Sequence, residues 1–256
     1  MPFRGFNFSG GDILIAIERL GDFFGDDRRR PIIQCVALRG NEAEGTASVA
    51  QLPPGVVGIA ALTRAREPRE WPLAAVPLIF AAQQGVEGLL WLQLPVAPNG
   101  PSTTFLTYLY LLFAEVLWPA YAPIACLLIE PNKRRRVAMA VCLIAGLAVA
   151  AHYLVSIFSH PHAARIIGHH VAYVTEGKVS YLMGAAYLLA TGGVIALSSH
   201  RAMIALAAIV IAGAFVSYTL YWESFVSVWC FFSATASVII LLQFEWEHRR
   251  SHALSA

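Results

Sequence analysis

A polytopic bundle of seven membrane-spanning helices is the fold class this sequence predicts, and three observations predict it. The chain is 57% hydrophobic and only 13% charged over 256 residues, with a mean hydropathy of +0.60. Soluble domains carry roughly 25% charged residues. Apolar stretches of about the 20 residues that a helix needs to cross the hydrocarbon core recur from end to end. The connections between them alternate in basic residues, which gives the threading a direction.

The elements follow in order. Residues 1–45 read as an N-terminal extension, in which "SGGDILIAIERLGDFF" is a helix capped by Ser9 or Asp12 with Ile13, Ile17, Leu20 and Phe24 on one face. It is either an interfacial helix or a loosely held extension. Glu18, Arg19 and Asp22 interrupt this first apolar stretch, so no cleavable signal peptide is expected. The transmembrane domain is expected over 46–245. Its spans fall near 46–63, 71–94, 104–129, 137–158, 179–199, 202–221 and 224–244. Pro53-Pro54 removes two backbone donors and makes the first the weakest. Residues 246–256 form a tail.

The loops at one end hold ten Lys or Arg: Arg64, Arg66, Arg69, Lys133, Arg134, Arg135, Arg136, Arg201, Arg249 and Arg250. Those at the other end hold only Arg165 and Lys178. The basic side is expected to face the cytoplasm, which places the core's N-terminus outside and the C-terminus inside. Trp71, Trp91, Trp222 and Trp246 fall at span ends, as interfacial aromatics do. The run "IEPNKRRR" at 129–136 puts Lys133, Arg134, Arg135 and Arg136 where they would meet anionic lipid heads. Membrane lipid is the expected partner. A net charge of +2 without a basic-aromatic stripe argues against nucleic acid.

Several chemistries find no motif. Cys35, Cys126, Cys142 and Cys230 form no CxxC pair. No GxSxG elbow and no phosphate loop is present. Neither lysine lies inside a span, so a retinal Schiff base has no residue to form on. Gly192-Gly193 and Gly213 mark close helix packing.

Within the seven spans the only carboxyl or imidazole side chains are Glu87, Glu115 and His152. A charge at a helix centre costs roughly 2.5–3.5 kcal/mol on insertion scales, and such groups face the bundle interior. At about 1.5 Å of rise per residue, Glu87 lies roughly 10 Å and His152 about 9 Å below the outer surface, with Glu115 about 16 Å down. Gln83, Gln84 and Trp91 lie one turn from Glu87. The outer loop 159–178 adds His160, His162, His169 and His170.

These residues point to a polar pocket opening outward, with Glu87 and His152 as its central pair. The pair would serve as a proton relay, as an acid–base couple, or as metal ligands, with His169 and His170 closing over a divalent ion such as zinc. A satisfied polar network that only fixes helix register is the other reading.

Four segments, "REPREWPLAAVPLIFAAQQGVEGLLWL", "FAEVLWPAYAPIACLLIEPNKRRR", "HHVAY" and "SVWCFFSATAS", together resemble bacterial multi-pass membrane proteins grouped as a domain of unknown function. The resemblance covers about 46–245. It implies a seven-helix fold in the bacterial cytoplasmic membrane and no particular reaction. It directs attention to Glu87, Trp91, Glu115, Trp118, Pro119, Glu130, His170, Tyr173, Trp229 and Cys230. Members of that family open with a Met-Cys-Phe-Ser-Ala type segment, where this chain has "NEAEGTASVAQLPPG".

The expected function is binding of a small ligand, proton or metal ion, as in a sensor or transporter. The expected ligand-binding set is Glu87, Glu115, His152, Gln83, Gln84, Trp91, Trp118, Tyr173 and Trp229; the expected metal set is His152, Glu87, His169 and His170. A membrane-embedded metal-dependent hydrolase and a structural subunit without ligand are the alternatives. The hydrolase is disfavoured because neither an aspartate nor an HxxxH pair lies inside a span.

Overall fold

The computed structural model describes residues 54–168, 170–175 and 180–255. The expectations for 1–45 and for the start of the first span lie outside them. The fold is mostly helical. Helix α1 is Pro54–Arg64 and α2 is Trp71–Gln93. Helix α3 (Pro101–Leu111), a π-helical turn (Leu112–Leu117) and α4 (Trp118–Ile129) run on as one rod. Helix α5 is Lys133–Ser159. Strands β1 (His162–Ile167) and β2 (His170–Thr175) follow. Then come α6 (Tyr181–Leu188), a second π turn (Leu189–Gly193) and the short α7 (Val194–Ala196). Helix α8 (Arg201–Leu220), a 3-10 turn (Trp222–Ser224), α9 (Phe225–Ala236) and α10 (Val238–Ser255) complete the chain.

Five helical segments among the described residues are long and apolar enough to cross a membrane: Trp71–Gln93, Pro101–Ile129, Lys133–Ser159, Arg201–Leu220 and Trp222–Trp246. They match the second, third, fourth, sixth and seventh expected spans. The other two expected spans appear as shorter apolar helices, Gly55–Arg64 and Tyr181–Ala196. The π turn of the latter holds the Gly192-Gly193 pair. On α5, Val137, Val141, Ile144, Val155 and Phe158 all face outward. Large apolar side chains on the exposed face are what a lipid surround permits and water does not. These features mark an integral membrane protein.

Close backbone approach holds the helices together. A Cβ on Gly146 of α5 would fall 1.9 Å from the carbonyl oxygen of Pro119 in α4, and one on Gly58 would fall 2.6 Å from the backbone nitrogen of Leu78 in α2. Hydrocarbon offers no hydrophobic force between helices, so small residues at contacts carry more of the association than in water.

The expected outer loop 159–178 is instead largely an antiparallel hairpin. Its register runs from His162 opposite Thr175 to Ile167 opposite His170. Gly168, at φ +60°, takes the left-handed backbone that a two-residue hairpin turn requires. Leu90 and Leu94 of α2 pack against Ala164 and Val171, seating the hairpin on the helix ends.

The opposite end is locked by Glu130, just past α4. Its buried carboxylate accepts from the backbone N–H of Asn132 (3.0 Å) and Ser199 (2.8 Å) and from the Ser199 hydroxyl (2.5 Å). Asn132 caps α5 by accepting from the N–H groups of Arg134 and Arg135. The Arg135 guanidinium donates to the carbonyls of Leu197 (2.9 Å) and Ser198 (2.7 Å). One carboxylate and one guanidinium thus tie the loops around 130–132 and 197–199 together. Burial alone pushes the Glu130 carboxyl up, but the Ser199 and Asn132 donors outweigh it and hold it below its ordinary value.

A folded value below the unfolded one stabilises the fold above the ordinary glutamate range, and that stabilisation is lost as pH falls toward the lowered value. Glu130→Gln is therefore expected to lower the unfolding free energy by about 1–3 kcal/mol near neutral pH, the scale of bonds to a charged group. The gap from the native protein should close on acidification when unfolding is followed in detergent.

Candidate functional site

The site lies beneath the hairpin, where α2, α3, α9 and β2 meet. Glu87 sits on α2 one turn above Gln83. The Tyr173 hydroxyl donates to its Oε1 at 3.2 Å. Tyr173 is aimed by its ring, which lies flat on Tyr110 of α3 with centroids 4.5 Å apart and planes 4° apart. Burial pushes the Tyr173 hydroxyl well above its ordinary value, so it remains a donor. Ser227 of α9, Tyr110 and Gln84 also face the Glu87 carboxyl. The Tyr110 hydroxyl, in a side chain with 0% exposure, and Gln84 Nε2 are buried without a hydrogen-bond partner. Every group that meets Glu87 among the described residues is neutral.

A second polar layer lies one turn away. Trp118 Nε1 donates to Gln83 Oε1 at 2.6 Å, and Gln83 Nε2 donates to Cys230 Sγ at 3.2 Å. Gln83 is fully buried, and its amide joins α2, α4 and α9. Phe80 stacks on Trp118 at 3.9 Å. Trp229 donates from Nε1 to the Val210 carbonyl at 3.0 Å, tying α9 to α8. A cavity of about 70 Å³ borders this layer, lined in part by Trp118, Tyr187, Trp229 and Cys230.

Glu115 lies in the first π turn, partly buried and without a hydrogen bond or ion pair to the described residues. Tyr153 and Tyr187 are within electrostatic reach of it. The Tyr187 hydroxyl donates to the carbonyl of Ala114, next to Glu115. π turns of this kind recur at functional sites.

Of the expected set, Glu87, Gln83, Gln84, Trp118 and Tyr173 come together. Trp229 and Glu115 stand one layer away around Tyr187. Trp91 packs under the hairpin with Leu90 and Leu94. His152 does not join them. It is exposed on α5, with its ring against Tyr153. The buried stripe of α5 runs through Cys142, Gly146, Val149 and Ile157, and His152 lies off it. His170 packs edge-on to Tyr221, and His169 lies outside the described residues. Among the described residues no group of three or more His, Cys, Asp or Glu is placed to hold a metal ion. Among the described residues Glu87 and His152 therefore do not stand as a couple, and His169, which the expected metal set also includes, lies outside them.

A family model, described as a family of unknown function (DUF6629), matches residues 43–256. The chain belongs to this family. The match takes in every residue of the site and both ends of the bundle. No curated protein and no solved structure matches the chain.

Tyr110 and Ser227 escaped the sequence reading. Ser227 lies three residues before Cys230, one turn along the same face, and that spacing is the signal that finds it. In this DUF6629 member, Gln83→Leu is expected to orphan the Trp118 indole and destabilise the fold by about 1–3 kcal/mol, the cost of a buried donor left unmade. Tryptophan emission should shift with it, and both are read in one thermal melt.

Proposed function

We propose that this protein is a seven-pass protein of the bacterial cytoplasmic membrane, with the hairpin outside and the C-terminus inside. We read its Glu87 site as one that takes up a proton or a small hydrogen-bonding ligand from the outer face. The two shorter apolar helices complete the count by crossing with the help of flanking residues or local thinning of the bilayer. The ten-to-two distribution of Lys and Arg supports the orientation. Lys133, Arg134 and Arg136, with the stem of Arg135, then lie where anionic heads gather. The domain division proposed with it is an extension over 1–45, the membrane domain over 46–245 and a cytoplasmic tail over 246–256.

One observation carries the functional reading. Glu87 meets only neutral donors, and two further buried donors beside it, the Tyr110 hydroxyl and Gln84 Nε2, have no partner. A structural carboxylate in hydrocarbon is stabilised by a cation or by a full set of donors. Here one acceptor and several neutral donors converge, two of them facing the carboxyl without a closed bond. That set fits a group that both gives and takes hydrogen bonds, and a proton carried on water is the smallest of these. The hairpin covers the site on the side from which such a ligand would arrive.

Two measurements test the proposal. A fluorescent protein fused to the C-terminus should mature inside the cell, while a cysteine at position 99 should react with an impermeant maleimide added outside; the reverse pattern overturns the orientation. Tryptophan emission of the purified protein, titrated from about pH 4 to 9 across the ordinary carboxyl and imidazole ranges, should show a step that Glu87→Gln removes. Superimposable profiles for the two proteins would end the Glu87 reading.

A further inference from the structure

The cavity beside the Gln83 layer is a space that the Glu87 site does not use. Its wall is drawn from α2, α4, α8, α9, α10 and the segment from α6 to α7. Protein interiors are close-packed, with few voids larger than a water molecule. This void measures about 70 Å³. Small side chains keep it open: Ala122 and Ala125 of α4, Thr191 of the second π turn, Ser233 of α9 and Ser237 just after it. A large apolar residue at any of these places would fill it.

The wall turns its polar groups away. The indole N–H of Trp118 donates to Gln83 (2.6 Å) and that of Trp229 to the Val210 carbonyl (3.0 Å). The Tyr187 hydroxyl donates to the Ala114 carbonyl, the Thr191 hydroxyl to the Tyr187 carbonyl (2.8 Å) and the Ser237 hydroxyl to the Ala234 carbonyl (2.6 Å). The Ser233 hydroxyl and the thiols of Cys126 and Cys230 remain, and Cys230 already accepts from Gln83. A buried water needs about two to four polar partners, and a thiol is a weak one. The wall therefore suits an apolar guest better than water. What it offers is aromatic surface, with Phe80 stacked on Trp118 and Tyr187 set at 62° to Trp229, centroids 5.3 Å apart.

Both π turns flank this cavity. In the first, the Trp118 N–H donates to the Phe113 carbonyl; in the second, the Val194 N–H donates to the Leu189 carbonyl. The first shift leaves the Ala114 carbonyl without its helical partner, and that carbonyl takes the Tyr187 hydroxyl out of the wall. The second turn brings Thr191 into the wall with its hydroxyl folded back onto the helix. Turns of this kind are rare and gather at functional sites. Two of them on one cavity are a sign independent of the wall's chemistry.

We infer that this cavity is a binding site for a small, uncharged, apolar molecule without hydrogen-bonding groups. Size narrows the class. An engineered cavity of about 150 Å³ with an apolar lining takes up benzene or xenon. This one has about half that volume, so its guest is smaller than benzene and of the size of a dissolved gas. Dispersion against the aromatic faces is the attraction open to such a guest. The hydrocarbon around the bundle dissolves such molecules and delivers them. The site is separate from that at Glu87 and does not rest on it.

The test uses the full chain in detergent, with Trp71, Trp91, Trp222 and Trp246 replaced by Phe so that emission comes from Trp118 and Trp229 on the cavity wall. Xenon, a heavy apolar atom that quenches indole emission on contact, is the probe. Quenching should rise with xenon pressure and saturate, above the linear part given by xenon dissolved in the micelle. Ser233→Leu, which fills the cavity from α9, should lose the saturating part, and Ala122→Leu, which fills it from α4, should do the same. Met203→Ala, which enlarges the cavity, should keep the saturating part and gain benzene, read as a rise in melting temperature that the parent protein does not show. Quenching that stays linear with pressure in the parent protein would overturn the site, as would a saturating part that both filling variants retain. A folded Met203→Ala protein that takes neither xenon nor benzene would overturn it too.

Discussion

The constraint on which the site depends is that hydrocarbon offers no hydrogen bonds. A charge at the centre of a spanning helix costs roughly 2.5–3.5 kcal/mol, and a hydrogen bond to a charged group returns about 1.5–3. Glu87 therefore needs more than one donor from elsewhere in the chain. One of its bonds comes from Tyr173, which is not on a spanning helix. That one requirement links the hairpin to the bundle. The strands seat on Leu90 and Leu94, the Tyr173 ring rests on Tyr110, and the hydroxyl then falls on the carboxyl. Removing the hairpin would take from the acid one of its donors and leave those of the helices.

The same logic orders the rest of the interior. Polar side chains are placed in layers, each joining several helices. Gln83 ties α2, α4 and α9 through an indole and a thiol. At the basic end, Glu130 and Arg135 tie two loops through backbone groups. Between the two, apolar packing and close backbone contact at Gly58 and Gly146 do the work. Register in such a bundle is fixed by the polar layers together with these close glycine contacts.

Much of this was legible in the sequence, for reasons that also explain the misses. Five spans could be read because length and hydropathy are properties of composition. The fifth appears as a shorter apolar helix whose π turn holds Gly192-Gly193, and the start of the first lies outside the described residues. The hairpin was hidden: "HAARII" and "HVAYVT" alternate weakly, and a hairpin between membrane helices has no length signature. Depth along a helix follows from rise per residue. Direction around the helix does not follow from depth, and that is where His152 was misjudged. The small residues Cys142, Gly146 and Val149 already traced the buried stripe of α5, and His152 lies off it. Tyr173 entered the reading through family resemblance alone, because its contact with Glu87 crosses 86 positions in sequence.

The bond between Glu87 and Tyr173 links the membrane interior to the hairpin. A double-mutant cycle with Glu87→Gln and Tyr173→Phe, read as unfolding free energy in detergent, measures it most directly. Coupled partners should show an interaction energy of about 0.5–3 kcal/mol, with the double variant losing less than the sum of the two single variants. Strict additivity would mean that the two side chains act independently, and the hairpin would then be no part of the site.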